Sequence, residues 1–213
     1  MKICEFFSSI QGESSYAGLP CFFIRLTGCN LRCSYCDTTY AYDEGTDYSI
    51  AEIIEKTVQS GIRLVEITGG EPLMQDNSRL LIDKLIALDY EVLIETNGSI
   101  SIKELNKKAV IIMDIKTPSS GVTEKMDMQN IDYLKPTDEV KFVISDKRDF
   151  DWTRDMIRDY KLEGRSKILL SPILEPEILV RWMLEIGAIG TPIKARLNLQ
   201  IHKYIFKDGL RGR

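Results

Sequence analysis

The feature that most limits this fold is an alternation. Apolar runs of strand length are separated by amphipathic stretches, with a repeat of roughly thirty residues. The segments 21–28 (CFFIRLTG), 63–68 (RLVEIT), 91–96 (EVLIET), 109–115 (AVIIMDI), 140–145 (VKFVIS), 167–172 (KILLSP) and 194–200 (KARLNLQ) read as strands. Residues 49–61, 78–90, 149–160 and 176–187 read as helices, with a shorter one near 101–108. The first helix carries its own punctuation. Ser49 and Glu52 form a capping box, Ile50, Ile53, Ile54 and Val58 share a face, and Gly61 closes it. Such alternation dictates right-handed βαβ units and a parallel sheet. A closed eight-unit barrel typically takes about 250 residues, and this chain has 213. The expected fold is therefore α/β, a partial, open TIM-like barrel of about six βα units, formed by one domain spanning 1–213. The stretch 117–139 is the least patterned and reads as loop or short irregular helix.

Composition narrows the class. Hydrophobic residues make up 44%, charged residues 28%, and the formal net charge is −4. A mildly acidic surface draws neither nucleic acid nor membrane. No apolar run reaches membrane-spanning length, and the N-terminus turns polar too soon for a signal peptide. These features point to the cytoplasm, where thiols stay reduced.

Three of the five cysteines, Cys29, Cys33 and Cys36, crowd into eight residues at C-x3-C-x2-C spacing. An odd count in a reducing compartment speaks against a disulfide framework. Structural zinc commonly takes four ligands in two separated pairs, and here His202, Cys4 or Cys21 would have to serve as the fourth. Three close thiolates with an open position suit an iron–sulfur cluster that leaves one iron free. Cys4 and Cys21 read as incidental buried thiols.

In a parallel α/β sheet, ligands bind at the C-terminal strand ends. The conspicuous residues lie at that edge. The cysteine loop follows 21–28, Gly69-Gly70-Glu71-Pro72 follows 63–68, and Asn97-Gly98 follows 91–96. Asp114-Ile115-Lys116 closes the next strand, and Gln200-Ile201-His202 closes the last.

The cysteine trio with GGEP at the next strand end resembles the radical S-adenosylmethionine superfamily. In that superfamily the three thiolates hold a 4Fe–4S cluster whose fourth iron binds S-adenosylmethionine. One electron cleaves the sulfonium and yields a 5′-deoxyadenosyl radical that abstracts hydrogen from substrate. Further segments, IQGES, FIRLTGCNLRC, CDT, TGGEP, ETNG, DIKTPSSG and LQIHKYIF, run over most of the chain. Together they resemble the 7-carboxy-7-deazaguanine synthase family, in which a radical ring contraction turns 6-carboxy-5,6,7,8-tetrahydropterin into 7-carboxy-7-deazaguanine with loss of ammonia. That chemistry is a carbon–nitrogen lyase step toward queuosine and other 7-deazapurines.

The resemblance implies residue roles. Cys29, Cys33 and Cys36 would hold the cluster. Ile10, Gln11, Gly12, Glu13, Arg25, Thr68 and His202 would contact the pterin, with Arg25 facing its carboxylate. Tyr35, Cys36, Asp37, Gly70, Asp114, Ile115 and Lys116 would contact S-adenosylmethionine. Thr38 would be a Mg2+ ligand, with substrate oxygen and water completing the shell. It also implies a homodimer and an unidentified reductant. The tail 207–213 is given no role. Two alternatives stay open: an activase of the same superfamily that places a glycyl radical on a partner protein, and a zinc-stabilised binding module without catalysis.

Overall fold

The computed structural model describes residues 1–189 and 193–206, leaving aside the side chains of 186–189. Its strands are β1 (Lys2–Ile10), β2 (Pro20–Leu26), β3 (Thr46–Asp47), β4 (Leu64–Gly69), β5 (Glu91–Thr96), β6 (Val110–Ile115), β7 (Glu139–Ile144), β8 (Lys167–Pro172) and β9 (Ala195–Leu197). Its helices are α1 (Ile50–Ser60), α2 (Asn77–Ala87), α3 (Lys147–Asp159), α4 (Pro176–Ile189) and α5 (Ile201–Ile205). The sheet runs β3-β1-β2-β4-β5-β6-β7-β8-β9 and stays open, with β3 and β9 at its edges. From β2 to β9 every pairing is parallel. The partial barrel expected from the alternation is what forms.

Local chemistry explains the elements. Ser49 and Glu52 make the reciprocal capping box of α1, and Gly61 ends that helix in the left-handed conformation. The helix expected over 78–90 stops at Ala87, because Asp89 takes φ +60 and Tyr90 N–H turns back to the Leu85 carbonyl. No helix forms at 101–108. Competing partners take the backbone there: Ile102 N–H donates to Asn130 Oδ1 (2.9 Å) and Lys108 N–H to Asn106 Oδ1 (3.0 Å). The unpatterned stretch after β6 winds through three short 3-10 turns. The strand expected over 194–200 is confined to Ala195–Leu197, and the chain then turns into α5.

The sequence pattern did not disclose β1. It pairs antiparallel with β2 over Ile3–Ile10, so the sheet is not wholly parallel. Lys2–Ile10 lies near the sheet edge and lacks the clean period-two alternation of a half-buried strand.

Two apolar layers flank the sheet. The larger, between sheet and helices, gathers Ile24, Leu26, Val65, Ile67, Leu81, Leu85, Ile94, Phe142, Ile168 and Leu170. The smaller lies on the opposite face and consists of Cys21, Phe23, Leu64, Leu93, Val110 and Ile112, with Phe7 and Tyr16 against it. At about 25 cal/mol per Å2 of buried apolar area, these layers supply the main drive for folding. The β1–β2 connection crosses to the far edge of the sheet. Ser14 N–H donates to Asn198 Oδ1 (2.8 Å), Ile201 N–H donates to the Gly12 carbonyl (2.9 Å), and Ser15 donates to the fully buried Glu139. That crossing floors the open barrel.

Candidate active site

A cavity of about 300 Å3 opens at the C-terminal strand ends. Its wall includes Ile10, Gln11, Gly12, Glu13, Arg25, Cys29, Cys33, Tyr35, Cys36, Asp37, Thr38, Thr68, Gly70, Asp114, Lys116 and His202. All but one of the residues singled out from the sequence therefore come together. The exception is Ile115. Alternation along β6 sends Asp114 to the cavity and Ile115 into the apolar layer under the helices, where it is 2% exposed. Its side chain cannot touch a ligand in the cavity, which leaves its main chain as the one means of contact.

The cysteine loop is pinned to three neighbouring strand ends. Glu71 N–H donates to the Gly28 carbonyl (2.7 Å). Asn97 Nδ2 donates to Asn30 Oδ1 (3.1 Å) and to Cys29 Sγ (3.8 Å). Beyond β6, the Ser34 amide and hydroxyl donate to the Ser120 and Ser119 carbonyls (3.0 and 2.6 Å). TGGEP, ETNG and DIKTPSSG thus share one task, carrying the loop. Glu71 is fully buried and accepts from Leu73 N–H, Thr96 Oγ1 and Asn97 N–H, so it ties the end of β4 to that of β5. The glycines have a local cause. A Cβ on Gly70 would lie 2.1 Å from the Gly28 carbonyl oxygen and 2.7 Å from Cys29 Cβ. On Gly69, at φ +146, it would lie 2.2 Å from the Leu26 carbonyl oxygen.

The three thiols are free and half-buried at the cavity wall. Burial pushes Cys29 and Cys33 up, so metal binding there must displace protons. No trio of His, Cys, Asp or Glu among the described residues converges as ligands of a single ion do. A cluster that ties each thiolate to a different iron does not require the three thiols to converge on one point. Nearby, Asp114 Oδ2 pairs with Lys116 (2.9 Å), while Asp114 Oδ1 is buried without a hydrogen-bond partner. An unpartnered buried acceptor beside the thiols suits a ligand that brings hydroxyl or ammonium donors, as S-adenosylmethionine does.

The other half of the cavity is a charged layer that strand register assembles. Phe23 lies beside Glu66, Arg25 beside Thr68, and Asp114 beside Lys141. Lys141 Nζ pairs with Glu13 (3.2 Å), Glu95 and Asp114 (3.6 Å). Burial opposes its charge, but Glu13, Glu95 and Asp114 outweigh burial and hold it well above the usual lysine range. Burial likewise pushes Glu95 up, but Lys141 and the Thr68 hydroxyl more than reverse this and leave it below the ordinary range. Glu66 has no such ion pair. Burial first, then the charges of Glu95 and Glu13, push it well above the carboxylate range, and it accepts from Gln11 Nε2. Arg25 Nε donates to Glu5 (2.7 Å) and its guanidinium lies 5.5 Å from the centre of the Phe7 ring, so it is both salt-bridged and at the cavity wall.

The segment 200–203 bridges the two halves. Gln200 Nε2 donates to Glu13 Oε1 (2.7 Å) and Lys203 Nζ to Asp37 Oδ2 (3.1 Å). The His202 ring occupies the place a Cβ on Gly12 would take, 1.9 Å from Nδ1. Burial lowers the pKa of His202, which favours the neutral ring. Thr38 donates to Asp37 Oδ1 (3.0 Å) at the exposed rim.

Sequence reasoning missed Glu66, Glu95, Lys141 and Asn198. Their signal was available, since Glu66, Glu95 and Lys141 are each a charge in the interior of a mostly apolar strand. No helix among the described residues is long and apolar enough to cross a membrane.

Comparison with known proteins agrees with this arrangement. Residues 23–172 match the family model described as the radical SAM superfamily. The 7-carboxy-7-deazaguanine synthase of Koribacter versatilis is 39% identical over 100% of both chains. Those of Chlorobaculum tepidum and Thermoplasma acidophilum are each 38% identical, covering 100% and 98% of this chain and 97% and 98% of theirs. Among solved structures, QueE from Escherichia coli superposes with a TM-score of 0.78 at 22% identity, covering 93% of this chain and 92% of that one, which shows the shared fold. Given this cavity, its cysteine loop and relatives matched from end to end, the chain belongs to the 7-carboxy-7-deazaguanine synthase family of the radical SAM superfamily.

Proposed function

We propose that the protein catalyses the ring contraction of 6-carboxy-5,6,7,8-tetrahydropterin to 7-carboxy-7-deazaguanine with release of ammonia, a carbon–nitrogen lyase reaction. The observation that carries this reading is a single cavity with two different halves: three thiols on one side and a layer of fixed charges on the other. Cys29, Cys33 and Cys36 would hold the 4Fe–4S cluster, and Asp114, Lys116, Tyr35 and Gly70 line the part nearest it that S-adenosylmethionine would fill. Bound together, these two groups supply a carbon radical able to abstract hydrogen.

The chain's own work is to bind, orient and exclude water. The segment 10–12 lines the cavity and would offer a pterin edge those main-chain groups that Gly18, Leu19 and Ile201 do not engage. Glu13 and Glu95, each paired with Lys141, would be acceptors for ring N–H and amino groups. Arg25 keeps its terminal amino groups for a carboxylate while Glu5 holds Nε, a geometry suited to charge-assisted pairing. Thr38 offers a hydroxyl to Mg2+, whose role would be to position substrate. A homodimer and a separate reductant belong to the same reading, as does a cytoplasmic setting. Nothing in the cavity favours the activase alternative.

The test is turnover of the anaerobically reconstituted protein with the pterin, S-adenosylmethionine and a chemical reductant. Formation of 7-carboxy-7-deazaguanine supports the reading. An iron-loaded protein that cleaves S-adenosylmethionine yet leaves the pterin unchanged refutes it. For the metal, Thr38→Ser is expected to keep the response to added Mg2+ and Thr38→Ala to blunt it. Identical Mg2+ dependence in wild type and Thr38→Ala would place the ion elsewhere.

A further inference from the structure

We infer that Lys141 is the positioning residue that sets which hydrogen-bonding groups the cavity presents, and so selects fused pyrimidines carrying a 2-amino group next to a ring N–H. This rests on the function proposed above and deepens it.

The argument begins with position. Lys141 sits at the middle of β7, 6% exposed, and its side chain enters the cavity wall. Three carboxylates from three different elements converge on its single ammonium: Glu13 from the β1–β2 crossing, Glu95 from β5 and Asp114 from β6. Each of them has a second tie. Glu13 also accepts from Gln200 and Asn198, Glu95 from Thr68, and Asp114 from Lys116. Lys141 is therefore where the crossing, three strands and the segment after β9 are joined.

Electrostatics gives that joint a consequence. Glu13, Asp37, Glu66, Glu95 and Asp114 line the cavity, and the cations there are Lys141, Lys116, Arg25 and Lys203, with His202 near Glu13. Arg25 is already paired with Glu5, Lys203 with Asp37, and Lys116 sits on the cysteine side with Asp114. Glu13 and Glu95 thus rely on Lys141. Buried carboxylates that crowd together cannot all ionise without a cation between them. With Lys141 present, the two carboxylates share one ammonium, and Glu95 is held below the ordinary carboxylate range. Without it, the carboxylates lose their shared counter-ion, and a proton taken up between them turns one acceptor facing the ligand into a donor.

That pattern reads a specific edge. A 2-amino-4-oxopyrimidine ring presents two adjacent donors, the ring N–H and the exocyclic amine, and ionised carboxylates match them. A ring lacking the amine leaves an acceptor unpaired, and an unpaired buried acceptor is costly. Glu66 adds the complement, because its carboxyl stands among Glu13 and Glu95 without an ion pair and holds Gln11 in place.

The experiment compares wild type, Lys141→Met and Lys141→Arg. Binding of 7-carboxy-7-deazaguanine and of its 2-desamino analogue is measured by calorimetry from pH 5.5 to 8.5 (a range about the carboxylate and histidine values). Pterin KM and kcat are measured on the reconstituted protein. Wild type is expected to prefer the amino compound by roughly tenfold or more. Lys141→Met should lose most of that preference, raise KM about tenfold with a smaller change in kcat, and shift the acidic limb of binding upward by about one pH unit. Iron content should remain as in wild type. Lys141→Arg restores a cation and should recover the limb and most of the preference. Unchanged discrimination and an unchanged limb in Lys141→Met, with wild-type turnover intact, would overturn this inference alone. Failure of wild type to convert the pterin would instead overturn the proposed function. If Lys141→Met does not fold, Lys141→Arg decides: a folded arginine variant that has lost both the preference and the limb refutes the role.

Discussion

Gly70→Ala separates two reasons for the glycine pair after β4. The family resemblance implies a contact between Gly70 and S-adenosylmethionine. The structure shows that the cysteine loop itself fills the space. A new Cβ would meet the Gly28 carbonyl oxygen at 2.1 Å, the Gly28 carbonyl carbon at 2.6 Å and Cys29 Cβ at 2.7 Å. Ordinary contact requires more than about 1 Å of retreat, and two of the three obstacles are backbone. That backbone is held by the Glu71 amide and by Gly28 N–H, which donates to the Ala41 carbonyl (2.8 Å). Overpacking of this kind costs roughly 1–3 kcal/mol. For a chain of this size that corresponds to a fall in Tm of roughly 2–12 °C. The assay is thermal and urea unfolding of protein free of cluster and S-adenosylmethionine, followed by iron content after reconstitution. Loss of stability in the cluster-free protein, with iron content reduced, is the expected result. Cluster-free Gly70→Ala as stable as wild type, impaired solely in S-adenosylmethionine binding, would refute the reasoning and return the glycine to the ligand.

Four further outcomes follow from the same geometry. Cys29→Ala, Cys33→Ala and Cys36→Ala should each abolish the cluster absorbance and turnover together, whereas Cys21→Ala, which sits in the apolar layer away from the loop, should keep iron content. Glu71→Ala should lower stability by about 2–4 kcal/mol in urea titrations, since it leaves the buried Asn97 and Leu73 amides without an acceptor; a loss below about 0.5 kcal/mol would contradict that accounting. Arg25→Ala should raise pterin KM and also destabilise the fold, because Glu5 loses its partner, while Glu5→Gln should lower stability with KM little changed; equal KM effects in both would make Arg25 purely structural. Gly12→Ala pushes on a side chain and not on backbone, so KM should rise while Tm stays within about 2 °C; a large fall in Tm would show that His202 cannot yield.

The chain's local patterns were enough to announce its architecture and the cluster loop. Period-two and period-3.6 patterning wrote out the parallel strands and the four longer helices, and Ser49, Glu52 and Gly61 marked the bounds of α1. Cys29, Cys33 and Cys36 were legible as a group because their C-x3-C-x2-C spacing lies along a single loop. Other features depended on contacts distant in sequence. The helix expected at 101–108 gave way because Asn130, some twenty-eight residues on, takes the Ile102 amide. The strand β1 exists because β2 supplies a partner edge, which no local pattern in Lys2–Ile10 states. The charged layer was hidden for the same reason. Glu66, Glu95, Asp114 and Lys141 each look like an isolated fault in an apolar strand, and their meaning depends on register. Spacing within one loop is a property of the chain, but the meeting of charges from successive strands is a property of how those strands align. Only the folded sheet decides that Lys141 stands among Glu13, Glu95 and Asp114, because a one-residue slip of β5, β6 or β7 would send Glu95, Asp114 or Lys141 to the other face.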